Sequence, residues 1–396
     1  MSLVINTNVS SLNAQNNLTK SQSALAQATE RLSSGLQINS AADNAAGFAI
    51  AQRYTTQIGG LSQASANASD AINLAQTAGS ALDQVTANLQ AIRDLAVQSA
   101  NGTYTASDRS SIDQEVQQRL AEITRIANQT TFNGSKVLDG SLGTKSFQVG
   151  ADVGQTISVN LQTSVKASAL GSIAQLETGN LSGAFVDASG NAQTLNLSKI
   201  SVTGTDGKSV TLSGTASSVQ DLADAINAAG ATGVSAAVDG NGGVSLFANG
   251  SFQVTDSGAA SSGSVSSGAI TSGAYVDGST TATNATGSIA VSGSLSGSNV
   301  LTVNSANALI SQVDVALKSV ADFAAQLGAV QNRFQSTIAT VAAQSTNLQA
   351  ARSTIQDANF AAETAALSKA QVLQQAGISV LAQANSNPQL ALKLLQ

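Results

Sequence analysis

From Ala71 the apolar residues step by four and three positions through Ala75, Ala78, Leu82, Val85, Leu89 and Ile92 to Ala96. A seam of this period keeps one helix face apolar and predicts a long coiled-coil-like helix. The stretch SANGTYTASD breaks the period, with Gly102 as the stop. A second helix is predicted from about Ser107, with Ile112, Val116, Leu120, Ile123 and Ala127 on one face, and the two should pair antiparallel. Near the other end, Val313, Val320, Leu327, Phe334, Val341, Leu348 and Ile355 recur at every seventh residue. Leu309, Ala316, Phe323 and Val330 fill the other core position until Thr337 and Gln344 weaken it. A helix from about Ser305 to Ala358 would be roughly 80 Å long.

The extreme ends carry softer stripes. Ile5, Val9 and Leu12 are followed by Leu18, Leu25 and Leu32; Leu367, Ala370, Leu373, Val380, Leu381 and Ala384 lie close to one face near the other end. Neither would be stable as a free helix, so each needs a partner surface. Residues 132–161 alternate in short runs, Phe147 and Val149, then Ile157, Val159 and Leu161, which reads as a β-hairpin. From about residue 176 to 302 the chain turns to Gly, Ser, Thr and Val, with 256–299 bordering on low complexity. Inside that span Ser218 and Asp221 can box a short helix with Leu222 and Ile226 inward, and DGNGG joins two strands.

Composition narrows the chemistry. The 396 residues give length for two or three domains or one extended molecule; only 10% are charged and 3% aromatic, against 42% hydrophobic, so the core packs thin and close. There is no His, Cys or Trp. Zinc sites, Cys or Ser-His nucleophiles and histidine proton shuttles all need side chains that the chain lacks. An enzyme would have to run on carboxylates, Lys, Tyr or a bound cofactor, and neither a GxxxxGK[ST] loop nor a GxGxxG between strand and helix occurs. No cofactor, catalytic residue or metal ligand is expected. A net charge of −6 and a pI near 4.6 argue against nucleic acid or anionic membrane as a partner. The opening MSLVINTNVSSLNAQNN has neither a basic nor an apolar region of a Sec signal, which taken alone implies a cytoplasmic protein. Absence of cysteine fits the reducing cytosol and equally a chain exported unfolded.

The stretches INTNVSSLNAQNNL, ERLSSGLQINSAADNAAGFAIAQR, LAVQSANGTYTASDRSSIDQEVQQRLAEITRIANQTTFNGSKVLDG and VLQQAGISVLAQANSNPQLALKLLQ resemble bacterial flagellin. The likeness covers about 140 residues at the front and 90 at the back. Residues 218–248 also look like the small insert of flagellin middle regions. The fold expected is mainly α at both termini, a long antiparallel coiled-coil-like helical bundle with a β-hairpin. A β-rich α+β domain is inserted in the middle, and the whole makes an elongated multidomain rod. The resemblance implies an inner domain from 1–42 and 354–396, a bundle domain from 43–175 and 303–353, and an outer domain from 176–302. It implies a subunit that self-assembles into the extracellular flagellar filament for swimming, exported by the flagellar type III apparatus without a cleaved Sec signal.

Its partners would be copies of itself in a helical homopolymer, an export chaperone, the filament cap and hook-filament junction proteins, with no nucleic acid or membrane. The expected subunit-packing positions are Ile5, Val9, Leu12, Leu25, Leu32, Leu373, Val380, Leu381, Leu394 and Leu395. The stretch LQAIRDLAVQ resembles the surface that the flagellin-sensing Toll-like receptor binds in many flagellins. Gln90, Arg93, Leu95, Gln98 and Glu115 match that motif, whereas the arginine of its main contact is replaced by Ala91, which implies weakened binding. The alternative reading is a hook-filament junction protein, which shares related terminal helices but tends to lack the continuous block from LAVQSANGT to FNGSKVLDG. An enzyme in the middle domain would need ligands such as HExxH, which a chain without histidine does not have.

Overall fold

A computed structural model describes residues 8–178, 180–181, 185, 192, 194–256 and 291–394, with side chains described to residue 386 except at 199 and 256. Ile5, Leu395 and most of the low-complexity span lie outside the described residues, and so does the side chain of Leu394. The chain forms two compact units, one from residues 1–68, 148–156 and 335–396, the other from 69–147 and 157–334.

In the first unit, helix α1 (Val9–Ser34) starts where the Asn8 side chain accepts from Ser11 N and stops at Gly35. Gly35 has φ +71, a left-handed conformation in which a Cβ is strained. Helix α2 (Ala45–Ala100) begins well before the predicted seam. Its buried stripe already runs through Ala51, Leu61, Ala64 and Ala68, with Tyr54 and Ile58 half-buried between, so one period continues unbroken into Ala71.

Five residues separate α2 from α3 (Ala106–Gln129), which opens with a capping box between Thr105 and Asp108. The seam positions of α2 from Ala71 to Ala96 and of α3 from Ile112 to Ala127 are buried throughout. After a tight hairpin of β1 (Thr131–Phe132) and β2 (Ser135–Lys136), strands β3 (Gly143–Gln148) and β4 (Thr156–Leu161) pair as the predicted hairpin. Ile157, Val159 and Leu161 alternate inward, as the period of two requires.

The middle region holds its own core. Strand β5 (Ala174–Glu177) pairs with β11 (Val244–Ala248), which pairs with β10 (Val234–Val238). Between β5 and β10 come β6 (Leu195–Asn196), β7 (Ile200–Thr203), β8 (Ser209–Thr211) and β9 (Thr215–Ala216), and after β11 comes β12 (Gln253–Asp256). β12, β7 and β8 form a second antiparallel sheet, and β6 pairs with β9. Helix α4 (Val219–Ala229) is capped by Ser218 accepting from Asp221 N and buries Leu222, Ala223 and Ile226. Leu176, Ile200, Val202, Leu246 and Phe252 meet that helix in one cluster. DGNGG closes the turn between β10 and β11, where Asp239 Oδ1 accepts from Asn241 N and Gly243 N.

Helix α5 (Val303–Gln356) matches the predicted span within two residues. Val313, Val320, Leu327 and Phe334 are fully buried; beyond them Leu348 and Ile355 are only half-buried. Phe334 meets Phe147 edge-on, ring centres 5.7 Å apart. Helix α6 (Phe360–Leu394) follows.

Candidate assembly surface

Helices α1 and α6 run antiparallel against each other. Asn8 Nδ2 donates to the Ala384 carbonyl at 2.8 Å, Ser11 Oγ to Asn385 Oδ1 at 2.8 Å, and at the other end Arg31 faces Glu363 at 3.9 Å. The turn beyond α1 is tied to the end of α5: Gln37 N donates to the Gln356 carbonyl at 2.7 Å and Ala358 N to the Gly35 carbonyl at 2.9 Å.

The most deeply buried side chains of this pair are small. Ala14, Ala28, Ala370 and Ala384 are buried, and Leu18 lies over Gly377. Both helices therefore repeat a small residue at every seventh position, Ala14, Ser21 and Ala28 on one, Ala370, Gly377 and Ala384 on the other. That repeat is legible in the sequence, yet a search for leucine and valine passes over it. The larger residues are left facing out: Val9 is 62% exposed, Leu12 52%, Val372 64%, Leu373 47%, Ile378 54% and Val380 58%. Leu25, Leu32 and Leu381 are half-buried. A groove of about 360 Å³ opens between Ala14, Ser21, Leu373, Gly377 and Val380. In water such a run of apolar groups is unfavourable unless something covers it.

The residues of the receptor-like patch are only partly brought together. Gln90 and Gln98 are exposed and Ala91 and Leu95 half-buried on one arc of α2. With about 100° per residue, Arg93 stands about 60° from Gln90, at the edge of that arc, and about 160° from Leu95. Its Nε donates to Asp314 Oδ1 on α5 at 2.7 Å and its Nη2 to Oδ2 at 3.4 Å. The Asp314 carboxylate holds the Arg93 guanidinium above its ordinary pKa. Glu115 sits on α3 and pairs with Arg119 at 2.7 Å.

The acidic groups do the work of caps. Asp43, Asp108 and Asp221 each accept from nearby backbone N–H and hydroxyl groups, which hold their carboxyls below the ordinary range; Ser40, Thr105 and Ser217 respectively are the main donors. Acid–base catalysis at neutral pH calls for the opposite displacement. A cleft of about 720 Å³ between the β10–β11 sheet and α5 is lined by Asp314, Lys318 and Asp322, but Arg93 engages the first and the other two pair with each other at 2.6 Å. Among the described residues no cluster of three metal-ligating side chains occurs, and no helix is long and apolar enough to cross a membrane.

Long terminal helices packed together, with small antiparallel sheets inserted between them, define an α-helical bundle protein carrying an α+β module. Family models place it further. Residues 5–142 match the bacterial flagellin N-terminal helical region, 310–395 the bacterial flagellin C-terminal helical region, and 199–250 the flagellin hook IN motif. Over the whole length of both chains the protein is 36% identical to the B-type flagellin of Pseudomonas aeruginosa and 37% identical to the flagellin of Salmonella typhimurium. The structure of FliC from Burkholderia pseudomallei is similar over 66% of this chain and 99% of its own, at 29% identity and a TM-score of 0.38. The chain belongs to the bacterial flagellin family. Full-length likeness to flagellins does not favour the junction-protein reading.

Proposed function

We propose that this chain is the structural subunit of an extracellular flagellar filament and polymerises through the outward face of α1 and α6. The observation that carries the reading is the inversion in that pair: alanine and glycine fill the internal seam while Val9, Leu12, Val372, Leu373, Ile378 and Val380 face out. Helices with small side chains at their contact approach closely, and their larger apolar groups are then free to bury against neighbouring copies. Each valine or leucine covered in this way contributes about 1.5–3 kcal/mol. Few charges need desolvating there, since α1 and α6 together hold only Lys20, Glu30, Arg31, Glu363, Lys369 and Lys393.

The finer parts of the reading rest on family membership. They are export by the flagellar type III apparatus, a cytoplasmic chaperone on the final forty residues, and contacts with the filament cap and hook-filament junction proteins. They also include a three-part division into 1–42 with 354–396, 43–175 with 303–353, and 176–302.

The test is seeded polymerisation of purified protein followed by electron microscopy, comparing the native chain with a Leu373→Glu, Val380→Glu double variant. The variant should keep the thermal unfolding of the buried bundle and fail to add to seeds. Filaments formed at the native rate would overturn the assignment of this face.

A further inference from the structure

The turn between α2 and α3 contains an exposed Asn101–Gly102 pair. Asparagine before glycine is the sequence in which a backbone nitrogen reaches a side-chain amide with least hindrance, because glycine has no Cβ. Four such pairs occur, at residues 101–102, 133–134, 241–242 and 249–250. At the first, three features coincide. Asn101 Oδ1 accepts from Thr103 N at 3.2 Å, which curls the side-chain amide over the following peptide. The Asn101 carbonyl oxygen accepts from Tyr104 N at 3.3 Å and from Arg109 Nη2 at 3.0 Å. Arg109 is anchored there by a second bond, Nε to the Ser99 carbonyl at 2.9 Å.

We propose that Asn101 is a site of self-promoted deamidation, in which Arg109 acts as a positioning and charge-stabilising residue. Gly102 N gives its proton to solvent hydroxide, and the negative charge of the resulting amide anion resides largely on the Asn101 carbonyl oxygen. That is the atom on which Arg109 and Tyr104 N already converge. Gly102 N then bonds to Asn101 Cγ, the Cγ–Nδ2 bond breaks, and ammonia leaves with a proton from water. The Thr103 N–H faces the oxygen that carries charge during the attack. Water opens the cyclic imide at either carbonyl, leaving aspartate or isoaspartate at 101. Water is the only co-reactant and no redox partner is involved. The product carries one more negative charge beside Arg109, and the isoaspartate form adds a methylene to the backbone of the turn.

The other pairs lack this arrangement. Asn133 is held at φ +48 in its hairpin turn, and Gly242 N is turned toward the Asp239 carbonyl. Among the described hydrogen bonds, no Arg or Lys donates to the carbonyl of Asn133, Asn241 or Asn249.

The experiment ages the native full-length chain at mildly alkaline pH and follows each Asn–Gly peptide by mass spectrometry, with isoaspartyl methyltransferase labelling to identify the linkage. Residue 101 should convert first. Arg109→Gln, checked for native helix content, should slow it about tenfold, the factor that one charge-assisted hydrogen bond strengthened in the transition state supplies. Arg109→Lys should slow it less, and Gly102→Ala should nearly stop it. Conversion at 133, 241 or 249 ahead of 101, or an unchanged or faster rate at 101 in folded Arg109→Gln, would overturn the proposal.

Discussion

Asp108 and Asp221 each hold a helix start by accepting from the residues in front of it, and both carboxyls sit below their ordinary pKa for that reason. A carboxyl depressed in the folded state stabilises fully above its unfolded value, and that stabilisation is lost as the pH falls through the lower folded value. The melting temperature of the native chain should therefore drop more steeply through the acid range than that of an Asp108→Asn, Asp221→Asn variant. Parallel curves would mean that neither cap contributes. Ala91 stands where the resemblance places the arginine of a receptor-binding surface. An arginine at the centre of an interface patch commonly contributes about 2 kcal/mol, or about thirtyfold in affinity. On the proposal that this arc of α2 is a surface for the flagellin-sensing Toll-like receptor, Ala91→Arg should raise signalling in a reporter-cell assay, and equal potency of the two chains would speak against a role for position 91. Arg93, at the edge of that arc, is engaged by Asp314.

Helix α2 contains two instructive glycines. Around Gly79 there is open space, whereas a Cβ at Gly60 would stand 3.0 Å from Ala151 Cβ and 3.2 Å from its Cα, at the tip of the β3–β4 hairpin. Alanine is favoured over glycine inside a helix by about 1 kcal/mol. Gly79→Ala should gain most of that in a denaturant titration. Gly60→Ala should gain nothing, because the hairpin tip, also held by Asn67 Nδ2 donating to the Gln148 carbonyl, has to move away. A gain of equal size at both positions would remove the hairpin tip as a constraint on α2.

The inserted module is closed at a neck where its incoming and outgoing strands meet. Ile173 and Ser292 exchange backbone hydrogen bonds at 3.1 and 2.9 Å, and Leu295 N donates to the Leu170 carbonyl at 3.0 Å. Past the neck, Leu295 and Val300 are fully buried; Ser99 Oγ donates to the Val300 carbonyl and Val300 N to Asp113 Oδ1. Deleting residues 174–291 behind a short glycine linker should leave the bundle folded and the filament able to form, because the cut joins two atoms already in contact. Extending the deletion to residue 300 removes two core side chains and should lower bundle stability by several kcal/mol, about 2–5 for each large-to-small loss of this kind. Equal unfolding midpoints for the two deletions would show that the return segment is not part of the bundle.

What the sequence determined by itself was whatever depends on period and on neighbours a few residues away. The seven-residue repeat of α5, the Thr105 and Ser218 caps, the alternation of β4 and the DGNGG turn all belong here. A helix or strand buries the face that its spacing defines, whichever partner it meets. The start of α2 at Ala45 belongs here too, since the small-residue period was present and only its weak amplitude hid it. What only the tertiary structure decided was pairing across long separations. That alanines are the most deeply buried residues of the α1–α6 seam, with Leu18 over Gly377, follows from how closely two backbones approach, which no single stripe encodes. The same holds for Arg93 reaching Asp314 and for Ile173 meeting Ser292. Such contacts connect residues more than a hundred positions apart, and their partners are set by packing in three dimensions.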